Sequence, residues 1–332
     1  MMKRIIIFLA ILLIQANASE LVKLGDEFMK LRNWVIALRY FEQAIEVDKS
    51  LAYAWYGKGL CLCQLGRYDE GLSALDRALF FEPKNKDYLY VKGVCLEWKG
   101  KDFYPEAELY YKKVAELAPQ NSQIHNKLGT LYMQMGMFRE AVEELQKAIS
   151  LAPDYFPPYN NLGNCYLRMN KCREAIRLYQ NAIKRCSNPR EYHFYNNLGI
   201  AYLACGEMDK AKSAFLIETA LSPDYVQAHL SLANIYFLEK NFDRAREEYF
   251  EVLAINPDNP QANLNLAIMY IAINQPKSAL LHLQKYVELK PESGEGHYLL
   301  GKCYSLLGDK ERAWKEYLKS LKLGYRPTPL KK

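Results

Sequence analysis

The 34 residues from Ser122 to Tyr155 recur, with variation, along nearly the whole chain. Leu128, Gly129 and Tyr132 stand at helical spacing in the first half of the unit, and Ala141, Leu145 and Ala148 mark one helical face in the second. Gly136 separates the halves and Pro153 closes the second, so the unit reads helix, tight turn, helix, stop. Units start at Ala18, Ala52, Lys86, Ser122, Phe156, Tyr192, Val226, Pro260 and Gly294. That predicts nine tandem hairpins over 18–51, 52–85, 86–121, 122–155, 156–191, 192–225, 226–259, 260–293 and 294–327, with a short tail at 328–332. Hairpins of this kind bury their apolar faces on their neighbours, which overrides the two-domain expectation from length.

Independent columns agree across the units. Place 8 is Gly25, Gly59, Gly93, Gly129, Gly163, Gly199, Ala233, Ala267 and Gly301, always small. Place 20 is alanine everywhere except Gly71. Small residues at both places let the two helices of a hairpin approach closely. Large side chains fill the space beside them: Tyr132, Tyr166, Tyr202, Tyr236, Tyr270 and Tyr304 at place 11, and Phe41, Tyr111, Tyr179, Phe215, Tyr249 and Tyr317 at place 24. Pro83, Pro119, Pro153, Pro223, Pro257 and Pro291 take place 32. This pattern resembles the tetratricopeptide repeat, a 34-residue helix–turn–helix unit. The resemblance implies an all-α, right-handed superhelical solenoid that binds partners in a concave groove.

Residues 1–18 fall outside the repeats. Lys3 and Arg4 precede an uninterrupted apolar run from Ile5 to Ile14, and Ala16-Asn17-Ala18 follows as a small-residue cleavage pattern. The expectation is a signal peptide cleaved after Ala18 and export, to a bacterial periplasm; the alternative is a membrane anchor formed by an uncleaved N-terminus. The formal charge of +6 comes without a basic run or an aromatic-interleaved basic stripe, which argues against nucleic acid as a partner.

Eight cysteines in an exported chain raise the question of disulfides. Cys61, Cys95, Cys165 and Cys303 all take place 10, where a free cysteine behaves as a small hydrophobe. Equivalent helices of stacked repeats lie about 10 Å apart while a disulfide needs Cα atoms within about 7 Å, so Cys61 and Cys95 are not expected to pair. Cys172, Cys186 and Cys205 lie at turns or helix ends; Cys172 and Cys205 share a rim, and a bridge between them stays open. Cys61-x-Cys63 sits inside a helix and reads as no redox motif. His125, His193, His229, His282 and His297 are scattered rather than clustered as metal ligands are. No nucleophile–base arrangement or phosphate-cradling loop is evident. The chain is expected to be no enzyme and to carry no metal or cofactor.

In the family that the repeats resemble, places 2, 5, 6, 9, 12 and 13 of the first helix face the groove. Here they give Tyr53, Tyr56, Tyr90 and Trp98, then Asn126, Asn160, Asn161, Asn164, Asn196 and Asn197, then Leu230, Asn234, Phe237, Leu264, Asn265, Ile268 and Ile271. Asn161, Asn197 and Asn265 at place 6 look like the asparagine ladder in the repeat superhelix of O-linked N-acetylglucosamine transferase. An amide donates and accepts, so it can pair with any peptide bond. The expected ligand is an extended segment of another protein, gripped by Asn161 and Asn197 with Asn126, Asn160, Asn164 and Asn196 alongside. Tyr56 and Tyr90, or Leu230 and Leu264, would anchor it, with Asn234 and Asn265 further along. A self-assembling structural protein and an accessory subunit of an envelope complex are the rival readings. Trp314, Tyr317, Leu318 and Leu321 in the last helix have no further repeat to cover them, so either a homo-oligomer or partner docking through that helix is expected, unless 325–330 folds back as a cover.

Overall fold

The structure, a computed structural model, describes residues 17–326; the N-terminal apolar run and the residues after Arg326 lie outside them. The described residues divide into two compact units, one up to Met169 and one from Asn170 on. Among the described residues there are eighteen α-helices, two short 3-10 turns and no strand. The first unit holds α1 (Ala18–Lys30), α2 (Trp34–Val47), α3 (Ala52–Gln64), α4 (Tyr68–Phe81), α5 (Lys86–Lys99), α6 (Tyr104–Leu117), α7 (Ser122–Gln134), α8 (Phe138–Leu151) and α9 (Pro157–Arg168). The second holds α10 (Cys172–Arg185), α11 (Phe194–Ala204), α12 (Met208–Leu221), α13 (Val226–Leu238), α14 (Phe242–Ile255), α15 (Pro260–Ala272), α16 (Pro276–Leu289), α17 (Gly294–Leu306) and α18 (Lys310–Lys322). Within each unit, every helix packs on its sequence neighbours, and α1 also touches α3, α3 touches α5, α7 touches α9, α13 touches α15 and α15 touches α17.

Local chemistry sets the helix ends. Asn17, Asn33, Asn85, Asn121, Asn241, Asn259, Ser293 and Asp309 each accept a backbone N–H of the helix they precede, satisfying a donor that the first turn leaves unpaired. The turn between the two helices of a hairpin always places a positive φ at place 15. Glycine supplies it at Gly66, Gly100, Gly136, Gly206 and Gly308, and Arg32, Asn170, Lys240 and Asn274 adopt it at the cost that L side chains carry there.

The small residue at place 8 faces the large one at place 24. A Cβ on Gly93 would lie 2.5 Å from the Tyr111 ring, one on Gly199 2.7 Å from Phe215, and one on Gly129 2.5 Å from Leu145. Phe41, Tyr111 and Phe215 are in consequence fully buried.

Two polar rails fix how one hairpin seats on the next. In six repeats the place-4 side chain reaches the place-32 carbonyl of the preceding repeat. His125 does so to Pro119 at 3.1 Å, His229 to Pro223 at 3.0 Å and His297 to Pro291 at 3.0 Å, and each presents its other ring nitrogen to a carboxylate, of Glu144, Glu248 or Glu316. Trp55 donates to Lys49 O and Tyr159 to Pro153 O in the same way. At place 25, Gln146, Gln180 and Gln284 donate to the place-11 hydroxyls of Tyr166, Tyr202 and Tyr304 in the following repeat.

The cysteines depart from the sequence expectation. Cys95 is bridged to Cys63, with Cα atoms 5.7 Å apart, and Cys172 to Cys205, at 5.6 Å. The argument from equivalent places was correct for Cys61 and Cys95 but overlooked the diagonal: place 12 of one repeat leans toward place 10 of the next, and Cys63 stands there. Cys61, Cys165, Cys186 and Cys303 remain free and buried.

The junction at 186–195 is irregular. A 3-10 turn (Pro189–Tyr192) replaces the start of the helix, and His193 takes φ 48°. Glu218, where alanine is usual, is wholly buried; it accepts from His193 Nδ1 at 2.8 Å and from the Asn196 N–H at 3.1 Å, so it caps α11 from the neighbouring helix. At α18, Tyr317 and Tyr325 both pack on Tyr298, while Trp314 stays 64% exposed. Tyr325 thus covers part of the helix pair, and 327–330, expected as the rest of a cover, lie outside the described residues.

Candidate functional site

The odd-numbered helices carry the expected binding residues, and the structure sorts them into three groups. In the first unit, Tyr53 donates to Asp26 Oδ1 at 3.0 Å. Burial pushes the Asp26 carboxyl above its ordinary range, with the Tyr53 hydrogen bond opposing. Tyr56 is half-buried and stacks on Tyr88 with centroids 4.8 Å apart. Tyr90 and Trp98 are exposed on the next odd-numbered helix. This is an aromatic surface with one carboxylate at its edge.

Further along the same unit, Asn161 Nδ2 donates to Asn126 Oδ1 at 3.0 Å and to Thr130 Oγ1 at 3.3 Å. The amides expected to face a ligand therefore first bind each other, across adjacent repeats. Asn160 is half-buried and engaged, and Asn164 is exposed. Thr130 at place 9 belongs to this cluster and was not singled out by the sequence, because a lone threonine carries no pattern.

In the second unit, several expected ligand contacts turn out to be packing. Asn196 is 2% exposed, and Leu230 and Leu264 are 6% and 7% exposed, held in the core of α13 and α15. Burial at place 5 varies from repeat to repeat, from the exposed Tyr90 to these three, whose side chains the stack takes. Asn197 is half-buried and engaged. Asn161 and Asn197 belong to different units, and Asn197 Oδ1 accepts from Asn196 Nδ2 at 3.3 Å.

Asn234 and Asn265 form the best-defined site. Asn234 Oδ1 accepts the Tyr249 hydroxyl at 2.6 Å and Asn265 Nδ2 at 2.9 Å. Gln261 donates to Asn265 Oδ1 at 2.7 Å. The Asn234 carbonyl oxygen is thus saturated, which fixes the amide and leaves its NH2 as the outward-facing donor. Beside it opens a recess of about 250 Å³ lined by Asn234, Phe237, Leu238, Tyr249, Asn265 and Ile268. Tyr249, whose phenol burial pushes up to about 12, comes from a second helix; sequence reading placed it in the core column without its hydroxyl's reach. Among the described residues, no group of three or more His, Cys, Asp or Glu side chains could hold a metal ion.

Stacked antiparallel hairpins with polar and apolar side chains displayed along their first helices define an all-α repeat scaffold of the protein-interaction class. Models of the tetratricopeptide repeat match residues 22–88, 64–122 and 206–263, 120–188, 241–303, and 192–216 and 294–323. The chain belongs to the tetratricopeptide repeat family. It is similar to BBSome complex member BBS4 of Bos taurus, 26% identical over 128 residues, covering 39% of this chain and 24% of that protein. It is also similar to cell division cycle protein 27 homolog A of Arabidopsis thaliana, 31% identical over 98 residues, covering 30% and 13%. The chain thus spans a quarter or less of these relatives' own length. Among solved structures, the Cut9–Hcn1 hetero-tetramer of APC/C aligns with a TM-score of 0.53 at 14% identity, covering 92% of this chain and 73% of that one. MamA aligns with a TM-score of 0.46 at 21% identity, covering 49% and 94%. These likenesses concern the fold.

Proposed function

We propose that the protein is an exported scaffold that holds an extended segment of a partner protein against its odd-numbered helices. The observation that carries this reading is the Asn234–Asn265 pair: a fixed amide donor stands next to an apolar recess, which suits a peptide carbonyl followed by an apolar side chain. The Asn126–Asn161–Thr130 cluster supports it with a second set of amides. Each neutral hydrogen bond contributes only about 0.5–1.5 kcal/mol net, so several contacts must act together and sequence preference is broad.

Export is supported by the charged, apolar and small-residue order of the N-terminus and by two disulfides, which persist in oxidising compartments. Cleavage after Ala18 would remove Asn17, the N-cap of α1, and fray that helix by about a turn.

The experiment is photo-crosslinking in the native compartment from a benzoylphenylalanine at Phe237, with Asn234→Ala/Ile268→Glu as the blocking variant. A partner adduct that disappears in the variant is expected. An adduct that persists undiminished, or one that forms only from even-numbered helices, overturns the reading. The mass of the mature chain reports on export separately.

A further inference from the structure

We infer that the outer face of α18 is a docking surface for an anionic lipid membrane. Trp314, Leu318 and Leu321 stand at i, i+4 and i+7 and form one row, and they are 64%, 40% and 56% exposed. Lys315, Lys319 and Lys322 repeat the same spacing one residue on, as a parallel row. All three lysines are exposed, and none makes an ion pair among the described residues. Of the two carboxylates on the helix, Glu316 is turned inward to His297, which leaves Glu311 alone on this side.

An apolar row with a tryptophan, flanked by a basic row, is the composition of a helix that lies in a membrane interface, with its rings and aliphatic groups at the acyl boundary and its ammonium groups at phosphate level. Charge decides between the occupants. If a second copy seated on the same row by a two-fold axis, it would bring two lysine rows together with only Glu311 to offset each. An anionic surface meets every lysine with opposite charge. The helix has 13 residues, about 20 Å at 1.5 Å per residue, against a hydrocarbon core of about 30 Å, so it lies along the surface.

The test is co-sedimentation of the full chain with vesicles of phosphatidylcholine alone and of phosphatidylcholine mixed with phosphatidylglycerol. The wild type is expected to sediment with the mixed vesicles, to bind neutral ones at least about tenfold more weakly, and to be released by salt. Lys315→Glu/Lys319→Glu/Lys322→Glu should weaken binding to mixed vesicles at least about tenfold, and Trp314→Ala several-fold, with helicity unchanged because these side chains are exposed. Wild type and variants are compared in the same processed form, so differences among them belong to α18. Absence of wild-type binding to mixed vesicles overturns the inference. So does binding that neither variant reduces, or a dimer in solution that Trp314→Ala dissociates.

Discussion

His229 makes the place-4 clip a titratable joint. Its ring is 8% exposed and lies between two acceptors, Glu248 Oε2 at 2.7 Å and the Pro223 carbonyl at 3.0 Å. A neutral imidazole has one N–H and can serve only one of them. The protonated ring serves both, and the Glu248 hydrogen bond, opposed by burial, holds the His229 pKa above its ordinary 6.5. A group whose folded pKa is raised contributes stability that is fully present below the unfolded value and is lost as pH rises through the folded value. Removing the ring in His229→Ala deletes one charge-assisted and one carbonyl hydrogen bond and opens a cavity, which should cost about 2–4 kcal/mol where the ring is charged. Urea unfolding of wild type and variant at about pH 5.5 and about pH 9 measures it, since the other histidine clips cancel in the difference. The difference should be larger in acid and shrink in alkali. His229→Trp copies the arrangement of Trp55, keeps the carbonyl bond and loses the carboxylate, so it should recover part of the stability with a flat pH profile. An equal His229→Ala effect at both pH values, or a larger one in alkali, would refute the reasoning.

Alkylation of the denatured, unreduced protein should modify the four free cysteines and leave the two bridges, and reduction should expose all eight. Each bridge closes a loop worth about 3–4 kcal/mol in chain entropy, so reductant should lower the melting temperature by several degrees; an unchanged melt would count against both bridges. Gly93→Ala should gain up to about 1 kcal/mol of helix propensity and lose about 1–3 kcal/mol by overpacking against Tyr111, a net loss readable in the same melt. A more stable variant would mean that the Tyr111 ring yields.

The columns of small and large residues were enough to read the all-α repeat fold, because place 8 against place 24 is a contact within one hairpin at fixed sequence distance. Gly93 with Tyr111 and Gly199 with Phe215 show it directly. Relations between hairpins were harder to read. The Cys63–Cys95 bridge and the reach of Asn265 to Asn234 depend on a diagonal offset between helices that periodicity does not encode. Leu230 and Leu264 were misjudged for the same reason: place 5 borders both the open face and the next repeat, and an aliphatic side chain there goes to the stack. His193 lay beside the one link whose length broke the repeat, and its partner Glu218 stood out in the sequence only as an exception to the alanine column, with nothing to say what it would bind.

The two bridges also set how far the chain can be drawn out. Cys63 and Cys95 are 32 positions apart and Cys172 and Cys205 are 33 apart, yet each pair is pinned within 6 Å. A chain pulled taut gains about 3.3–3.6 Å per residue, so each bridge withholds roughly 100–110 Å of contour. Under tension the oxidised molecule reaches its limit some 200 Å sooner than the reduced one. The thiol state of four side chains therefore acts as a stop on a tether, fixing its maximum reach without altering what it carries.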